Sequence, residues 1–302
     1  MRIAVLADVH GNLPALEAVL DDARRHAVDR IVVNGDLINR GPQGSAVWRR
    51  LADLDAERTV GNHDDLLRRL AEDDPGLPDD FRRGPFWRAA RWCAEELDAV
   101  PGWRAEVRGW PLTVAVAEPG AGRVLVAHGS PRHFREGYGP QLADEVISEI
   151  VEMHPADVLV GSHTHWPLQR RWGRARVLGT GAVGVPFNGD GRAQYLWLTR
   201  SGDDWTPTFR RVAYDRSAAL AAFEATGYLE AGGLLARLFR DEVRDARSYL
   251  VPFLMWVEGG FGGGGSGGFG LDDVGFEAFR RARPERFRPA EPWPERTASV
   301  AP

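Results

Sequence analysis

Lysine is absent from this 302-residue chain, so all 38 of its basic Lys-or-Arg positions are arginine. No lysine nucleophile or Schiff base is available, and any cationic contact to phosphate is a planar guanidinium fork able to hold two oxygens at once. Cysteine is nearly absent as well, with Cys93 the single example. An internal disulfide and a zinc-thiolate cluster are therefore excluded, and a bound metal must rest on His, Asp, Glu or Asn. Cys93 itself reads as a small core residue on a helix. No apolar run reaches the roughly 18 residues of a membrane span, and Asp8 and His10 interrupt the apolar start too early for a secretory signal. A cytoplasmic protein with no membrane partner is expected. Positive charge is also in short supply: the formal net charge is -5, which argues against nucleic-acid polymers as partners, since these need a basic face.

What remains is a globular composition, 43% hydrophobic and 27% charged, which rules out a disordered or collagen-like chain and leaves enough length for one large core or two smaller ones. Short β-branched runs at 2–6, 30–33, 58–60, 123–127, 157–160, 176–178 and 194–198 read as buried strands. Between the first two, Leu13, Leu16, Val19, Leu20 and Ala23 recur at helical spacing, with Pro14 suited to a first turn. This βαβ opening predicts an α/β fold.

A helical, tryptophan-bearing insertion over 65–111 interrupts the strands and is divided by Pro75 and Pro78. Trp87, Arg91, Trp92 and Leu97 mark one amphipathic helix there, its aromatics mostly core. Residues 1–214 are expected to form a catalytic domain and 215–302 a helical extension, with helices at 218–228 and 234–258. The apolar side chains from Leu234 to Trp256 are too many for a free helix, so they pack on the main domain or across a homo-oligomer. The glycine-rich run 259–270 reads as a flexible segment. It is not a phosphate loop, because no strand precedes it and no GK[ST] follows. A mobile tail is expected over 284–302.

The informative pattern is where polar donors fall. Five strands each run directly into one or two: Asp8 and His10, then Asp36, then Asn62 and His63, then His128, then His163 and His165. Carboxyl ends of neighbouring strands open on one crevice, so these side chains converge although they are distant in sequence. Any one alone reads as a cap or a satisfied polar residue. Together they exceed what one tetrahedral ion needs and suffice for two octahedral ions sharing a carboxylate, an arrangement suited to clamping a phosphoryl group. Gly35, Gly61, Gly129 and Gly161 stand beside these donors, where the backbone is expected to turn sharply. His26, His133 and His154 lie elsewhere.

Asp8-Val9-His10, Gly35-Asp36, Gly61-Asn62-His63-Asp64, His128-Gly129 and Gly161-Ser162-His163-Thr164-His165 resemble, in order, the five signature blocks of the calcineurin-like metallophosphoesterases. The resemblance covers about residues 1 to 200 and implies a four-layer α/β/β/α sandwich. It implies one metal on Asp8, His10, Asp36 and His165 and a second on Asp36, Asn62, His128 and His163, bridged by Asp36. Manganese is the family habit, although the donor set also suits Fe, Zn, Co or Ni. The implied reaction is attack of a metal-bridging hydroxide on a small phosphodiester or phosphomonoester such as a nucleotide or cyclic nucleotide. In this resemblance His63 faces the substrate phosphate and, as imidazolium, protonates the leaving oxygen.

The stretch Gly35-Asp36-Leu37-Ile38-Asn39-Arg40-Gly41-Pro42 further resembles the branch that holds diadenosine tetraphosphatases and protein serine/threonine phosphatases. There the residue matching Arg40 grips phosphate. Dinucleoside polyphosphates and phosphoproteins are accordingly the alternative substrates. The protein phosphatases carry Asp at the position of Asn39, so the acid that would charge His63 is missing. Either His63 is less protonated here, or Asp64 partly takes that catalytic role. Asn39 joins Arg40 as an expected substrate contact, and the loop 130–138 offers Arg132 and Tyr138 to a base or sugar. The glycine-rich loop 181–191 is given no catalytic role. A non-catalytic scaffold is disfavoured, because no donor is missing and His63 is in place.

Overall fold

Alternation along the first strand decides how the molecule is layered. In β1 (Arg2–Leu6), Ala4 and Leu6 face helices while Ile3 and Val5 face a second sheet, as the two-residue period of a strand requires. The computed structural model describes residues 1–117, 120, 122–139, 142–259, 268–288 and 297–298. Its first sheet holds β1 with β2 (Arg30–Asn34) and β3 (Ala56–Thr59) in parallel, and then β9 (Ala193–Ser201) and β10 (Asp204–Val212) antiparallel on the other side, in the order β10-β9-β1-β2-β3.

The second sheet contains β4 (Thr113–Val116), β5 (Val124–Ala127), β6 (Val158–Gly161), β7 (Pro167–Trp172), β8 (Ala175–Thr180) and the two-residue β11 (Thr297–Ala298), in the order β11-β7-β8-β6-β5-β4. Here β5, β6 and β8 run parallel. Val5, Val32, Val126, Val160, Leu198 and Trp205 fill the space between the sheets. Outside the first sheet lie α1 (Leu13–Arg25) and α2 (Gly44–Ala52), and outside the second lies α7 (Asp144–Met153), whose Ile147 and Ile150 meet Leu125, Leu159 and Val177. The expected four-layer α/β/β/α sandwich is the fold observed.

All seven expected strands are strands. Four more, β4, β7, β10 and the two-residue β11, were not signalled; all lie at or beside sheet edges, and β7 and β10 mix charge and proline into the pattern. Pro207 inside β10 and Pro167 at the start of β7 are tolerated where a backbone donor is dispensable. The insertion consists of α3 (Asn62–Ala71), α4 (Asp79–Arg83), α5 (Arg88–Glu96) and α6 (Trp103–Gly109), with α4 starting just after Pro78. Cys93 is buried on α5 with its sulfur 3.5 Å from Tyr228 Oη, and burial pushes the thiol up to about 12, consistent with a core residue.

The C-terminal extension is present as α8 (Arg216–Ala225), α9 (Tyr228–Asp245), α10 (Leu250–Val257) and α11 (Asp273–Ala282). The single helix expected over 234–258 is broken in two, because Ala246 adopts φ 51° and ends α9. Glu242 Oε1 then accepts the backbone N–H groups of Tyr249 and Leu250, at 2.8 and 2.9 Å, and so starts α10. Leu235, Leu238, Phe239, Phe253, Trp256 and Phe279 share one core with α1, α2 and α5. These side chains are thus buried within the chain, while Val251, Met255 and Val274 of the extension stay exposed. Most of the glycine-rich run, 260–267, and most of the tail, 289–296 and 299–302, lie outside the described residues; 284–287 form a short 3-10 turn. Among the described residues no helix is long and apolar enough to cross a membrane.

Phe253 tests whether the extension is part of that core. It is fully buried against Phe276 and Phe279, with ring centroids 5.3 and 5.6 Å away. Replacing Phe253 by Ala is expected to lower the unfolding free energy by about 3–5 kcal/mol, within one cooperative urea transition. A separate early transition that accounts for the whole loss would show an independent extension.

Candidate metal centre

The parallel strands of both sheets end at the same edge, and their loops meet there. Asp8 and His10 follow β1, Asp36 follows β2, Asn62 and His63 open α3 after β3, His128 follows β5, and His163 and His165 follow β6. Asp8, His10, Asp36, Asn62, His128 and His165 are buried, and His63 and His163 are partly exposed. The structure brings all eight together.

They fall into two groups that share Asp36. On one side His165 Nε2 lies 3.3 Å from His10 Nε2 and 3.4 Å from Asp8 Oδ1, while His10 Nε2 lies 3.7 Å from Asp36 Oδ2. On the other, Asp36 Oδ2 lies 3.3 Å from His128 Nε2, and Asn62 Oδ1 lies 3.2 Å from His128 Nε2 and 2.7 Å from His163 Nδ1. Donors of oxygen and nitrogen spaced in this way surround a point that a cation can occupy. Three-residue sets able to hold an ion are Asp8 with His10 and His165, His10 with Asp36 and His63, and Asp36 with His128 and His163.

The fit to a cation rests on unanswered atoms. Both carboxylate oxygens of Asp8, Oδ2 of Asp36 and Nδ1 of His10 are buried without a hydrogen-bond partner, and a buried carboxylate left unpaired costs several kcal/mol. Burial raises Asp8 well above the usual carboxylate range, with Asp36 adding to the rise against His128. Burial also opposes ionisation of Asp36, but His128, His63 and His10 outweigh it and hold that carboxyl well below its usual value. His10 and His165 are held well below the usual imidazole range, and His163 is pushed down to about 4, in each case chiefly by burial. Neutral imidazoles are what a metal requires. His128 differs because Asp36 overrides burial and draws it up to about 10, and a divalent cation competes with that proton.

The backbone is bent to aim these donors. Among the described residues ten non-glycine residues have positive φ, and seven belong here: Asp8, His10, Asp36, Asn39, Arg40, His163 and His165, between 50° and 73°. Left-handed backbone costs an L-residue about 1–2 kcal/mol, so the strain is concentrated where function is expected. This corrects the expectation that the neighbouring glycines make the sharp turns. Of the four, only Gly35 has positive φ. Gly61 is extended, and its role is clearance: a Cβ there would sit 2.2 Å from Asp36 Oδ1.

Other polar groups lock the arrangement. Asn34, at the end of β2, donates to Ala127 O at 2.8 Å and to Ser162 Oγ at 2.7 Å across the two sheets, and its carbonyl lies 2.9 Å from His128 Nδ1. That contact fixes the ring and leaves Nε2 to face Asp36. His165 Nδ1 is held by Val185 O at 2.5 Å, and its ring stacks on Phe187, centroids 4.2 Å apart. The loop 181–191, given no catalytic role, is therefore a support for His165. Asn34 and Phe187 carried no sequence signal, since neither stands in a motif.

Several expected roles change. Asp64 is fully buried and accepts the N–H groups of Asp36, Leu37 and Gly61 at 2.7, 2.9 and 3.1 Å. It braces the Asp36 turn and does not orient His63, and burial with Asp36 nearby raises it to about 7. Asn39 is buried behind His63 rather than offered to substrate. Its Oδ1 accepts the Arg40 N–H at 2.8 Å, so its amide donates to His63 Nδ1, also at 2.8 Å. Arg40 Nε in turn donates to His63 Nε2 at 3.4 Å, so N–H groups meet the ring at both nitrogens. Burial, helped by Arg40 and opposed by Asp36, pushes His63 down to about 3, a neutral ring in place of the expected imidazolium.

Arg40 is only 5% exposed and pairs with Glu242 of α9 at 2.5 Å, a partner no local pattern could reveal. Arg132 is committed to Glu136 and Glu149, and Tyr138 is a core residue packed under Gly161; neither is turned to a substrate. Arg135 was overlooked. It is exposed, acts electrostatically on His163, and has no acidic partner among the described residues.

Comparison with known proteins agrees with this geometry. An uncharacterized protein of Methanocaldococcus jannaschii, MJ0912, is 39% identical over 62 residues, 20% of this chain and 26% of that protein, so the match spans about a quarter of the relative. Phosphodiesterase YfcE of Escherichia coli K12 is 24% identical over 190 residues, 63% of this chain and 83% of its own. In fold, the chain matches a metallophosphoesterase from Sphaerobacter thermophilus with a TM-score of 0.63 and 24% identity, over 82% of this chain and 100% of that one. It also matches PH1004 from Pyrococcus horikoshii with a TM-score of 0.62 and 18% identity, over 79% and 97%. The family model described as calcineurin-like phosphoesterase matches residues 1–167. More than half of the chain is thereby accounted for, and the protein belongs to the calcineurin-like phosphoesterases, metal-dependent hydrolases of phosphoric esters.

Proposed function

We propose that this hydrolase cleaves small phosphoesters, diesters among them, with two divalent ions. Asp8, His10, Asp36 and His165 would hold one ion and Asp36, Asn62, His128 and His163 the other. The observation that carries this reading is Asp36 Oδ2, buried, without a hydrogen-bond donor, and shared by both donor groups. Its second oxygen is already committed to the His63 N–H at 2.8 Å, which leaves Oδ2 open to a cation. Bound there, the ions supply Lewis acidity toward phosphoryl oxygens and a nucleophilic water at neutral pH; manganese is the metal proposed.

The chain's own groups do the rest. His63 stands with its ring centroid 4.9 Å from that of His10, held at Nδ1 by the Asn39 amide, while Arg40 Nε donates to its Nε2. A phosphate bound beside Arg40 adds negative charge that favours protonation of His63, and the imidazolium then gives its proton to the leaving oxygen. Arg40 grips a phosphate oxygen through its fork. Because Arg40 lies beneath Phe239 and Glu242 of α9, the site suits a small phosphoester better than a loop of phosphoprotein. The similarity to a protein named phosphodiesterase favours a diester.

Chelator-stripped protein should be inactive toward an aryl phosphodiester and regain turnover with Mn²⁺, whereas recovery without added metal would refute metal dependence. Asp36→Asn is expected to bring bound metal below two per chain by elemental analysis and to abolish turnover. His63→Ala should keep both metals and lose about 100-fold or more in kcat, with the larger loss on poor leaving groups. Equal losses on good and poor leaving groups would remove the acid role.

A further inference from the structure

Arg40 is held by a residue well outside the 1–167 stretch that the family model matches. Its Nη1 donates to Glu242 Oε2 at 2.5 Å, and its guanidinium lies over Phe187 and Phe239, 5.6 and 5.1 Å from the ring centroids. Glu242 is fully buried on α9, and its other oxygen receives the N–H groups of Tyr249 and Leu250. The carboxylate therefore joins two things, the turn that begins α10 and the far side of the Arg40 fork. On the near side, Nε donates to His63 Nε2 at 3.4 Å, and Nη2 has no protein partner among the described residues. A free arginine side chain loses considerable rotamer freedom when it binds a phosphate; one clamped beforehand between a carboxylate and two rings has already lost it.

We propose that Glu242 is a positioning residue for substrate: it acts through Arg40, fixing the guanidinium so that its remaining N–H groups meet a phosphate oxygen. This rests on the reading that Arg40 grips substrate. It makes the C-terminal extension part of the binding machinery, since α9 brings Glu242 and Phe239 to the fork.

The test uses the full-length, metal-loaded enzyme with Glu242→Gln, Glu242→Asp, Arg40→Ala and the double variant Arg40→Ala/Glu242→Gln. KM and kcat are measured on an aryl phosphodiester, and the Kd of inorganic phosphate by calorimetry. Glu242→Gln should raise KM and Kd about tenfold or more while kcat changes less than about threefold. Glu242→Asp should recover part of the loss. The double variant should match Arg40→Ala, because no fork remains to be positioned. It also removes both buried charges together, so with Glu242→Asp it carries the test if the single Gln variant does not fold.

Three results would overturn the positioning role alone: unchanged KM and Kd in Glu242→Gln beside a clear loss in Arg40→Ala, a Glu242→Gln loss that adds in full to that of Arg40→Ala, or tighter phosphate binding in Glu242→Gln. The last would mean that the carboxylate competes with phosphate for the fork. Unchanged KM and Kd in Arg40→Ala would overturn the underlying reading of Arg40 and the role of Glu242 with it.

Discussion

Three carboxylate oxygens buried without an answering hydrogen bond, both of Asp8 and Oδ2 of Asp36, govern this molecule. Asp8 and Asp36 sit at the seam between two sheets with oxygens that no protein donor satisfies, and imidazoles crowd them to within 3.3 to 4.0 Å. Such an arrangement is costly for ionised carboxylates unless a cation answers the charge. The surrounding structure follows from it: left-handed backbone at five of the donors, a glycine at 61 because any side chain would strike Asp36, and imidazoles kept neutral by burial.

Around that centre lies a set of groups whose work is to prevent motion. Asp64 gathers three backbone N–H groups and so staples the Asp36 turn to the start of α3. Asn34 ties the first sheet to Ala127 and Ser162 of the second. Val185 and Phe187 clamp the His165 ring from two directions. None of these touches the place where a substrate would bind, yet each sets the aim of a group that does.

The donors were legible in sequence because each stands directly after a β-branched run, and strand ends in an α/β sheet share an edge by construction. The strands themselves were legible for the same reason, except at the edges, where β7 and β10 lack a clean apolar alternation and β4 is only four residues long. Side-chain direction was not legible. Asn39, Asp64, Arg132 and Tyr138 all lie in or beside motifs, but their orientation is set by partners such as the Arg40 N–H, the Asp36 N–H, Glu149 and the α7 core. Glu242 was invisible because its partner is 202 residues away and a glutamate on a long helix looks like any other solvated charge. The break between α9 and α10 was hidden likewise, since Ala246 is an ordinary helix former and only tertiary contacts turn it left-handed.

The seam has a further meaning for how the chain comes into being. Asp8, His10, Asp36, Asn62 and His63 all emerge within the first 63 residues, whereas His128, His163 and His165 follow only after the helical insertion and the start of the second sheet. During synthesis the early carboxylates stay hydrated, because the imidazoles that complete their surroundings have not yet been made. Only when the second sheet docks on the first, with Asn34 reaching Ala127 and Ser162, do those charges leave water.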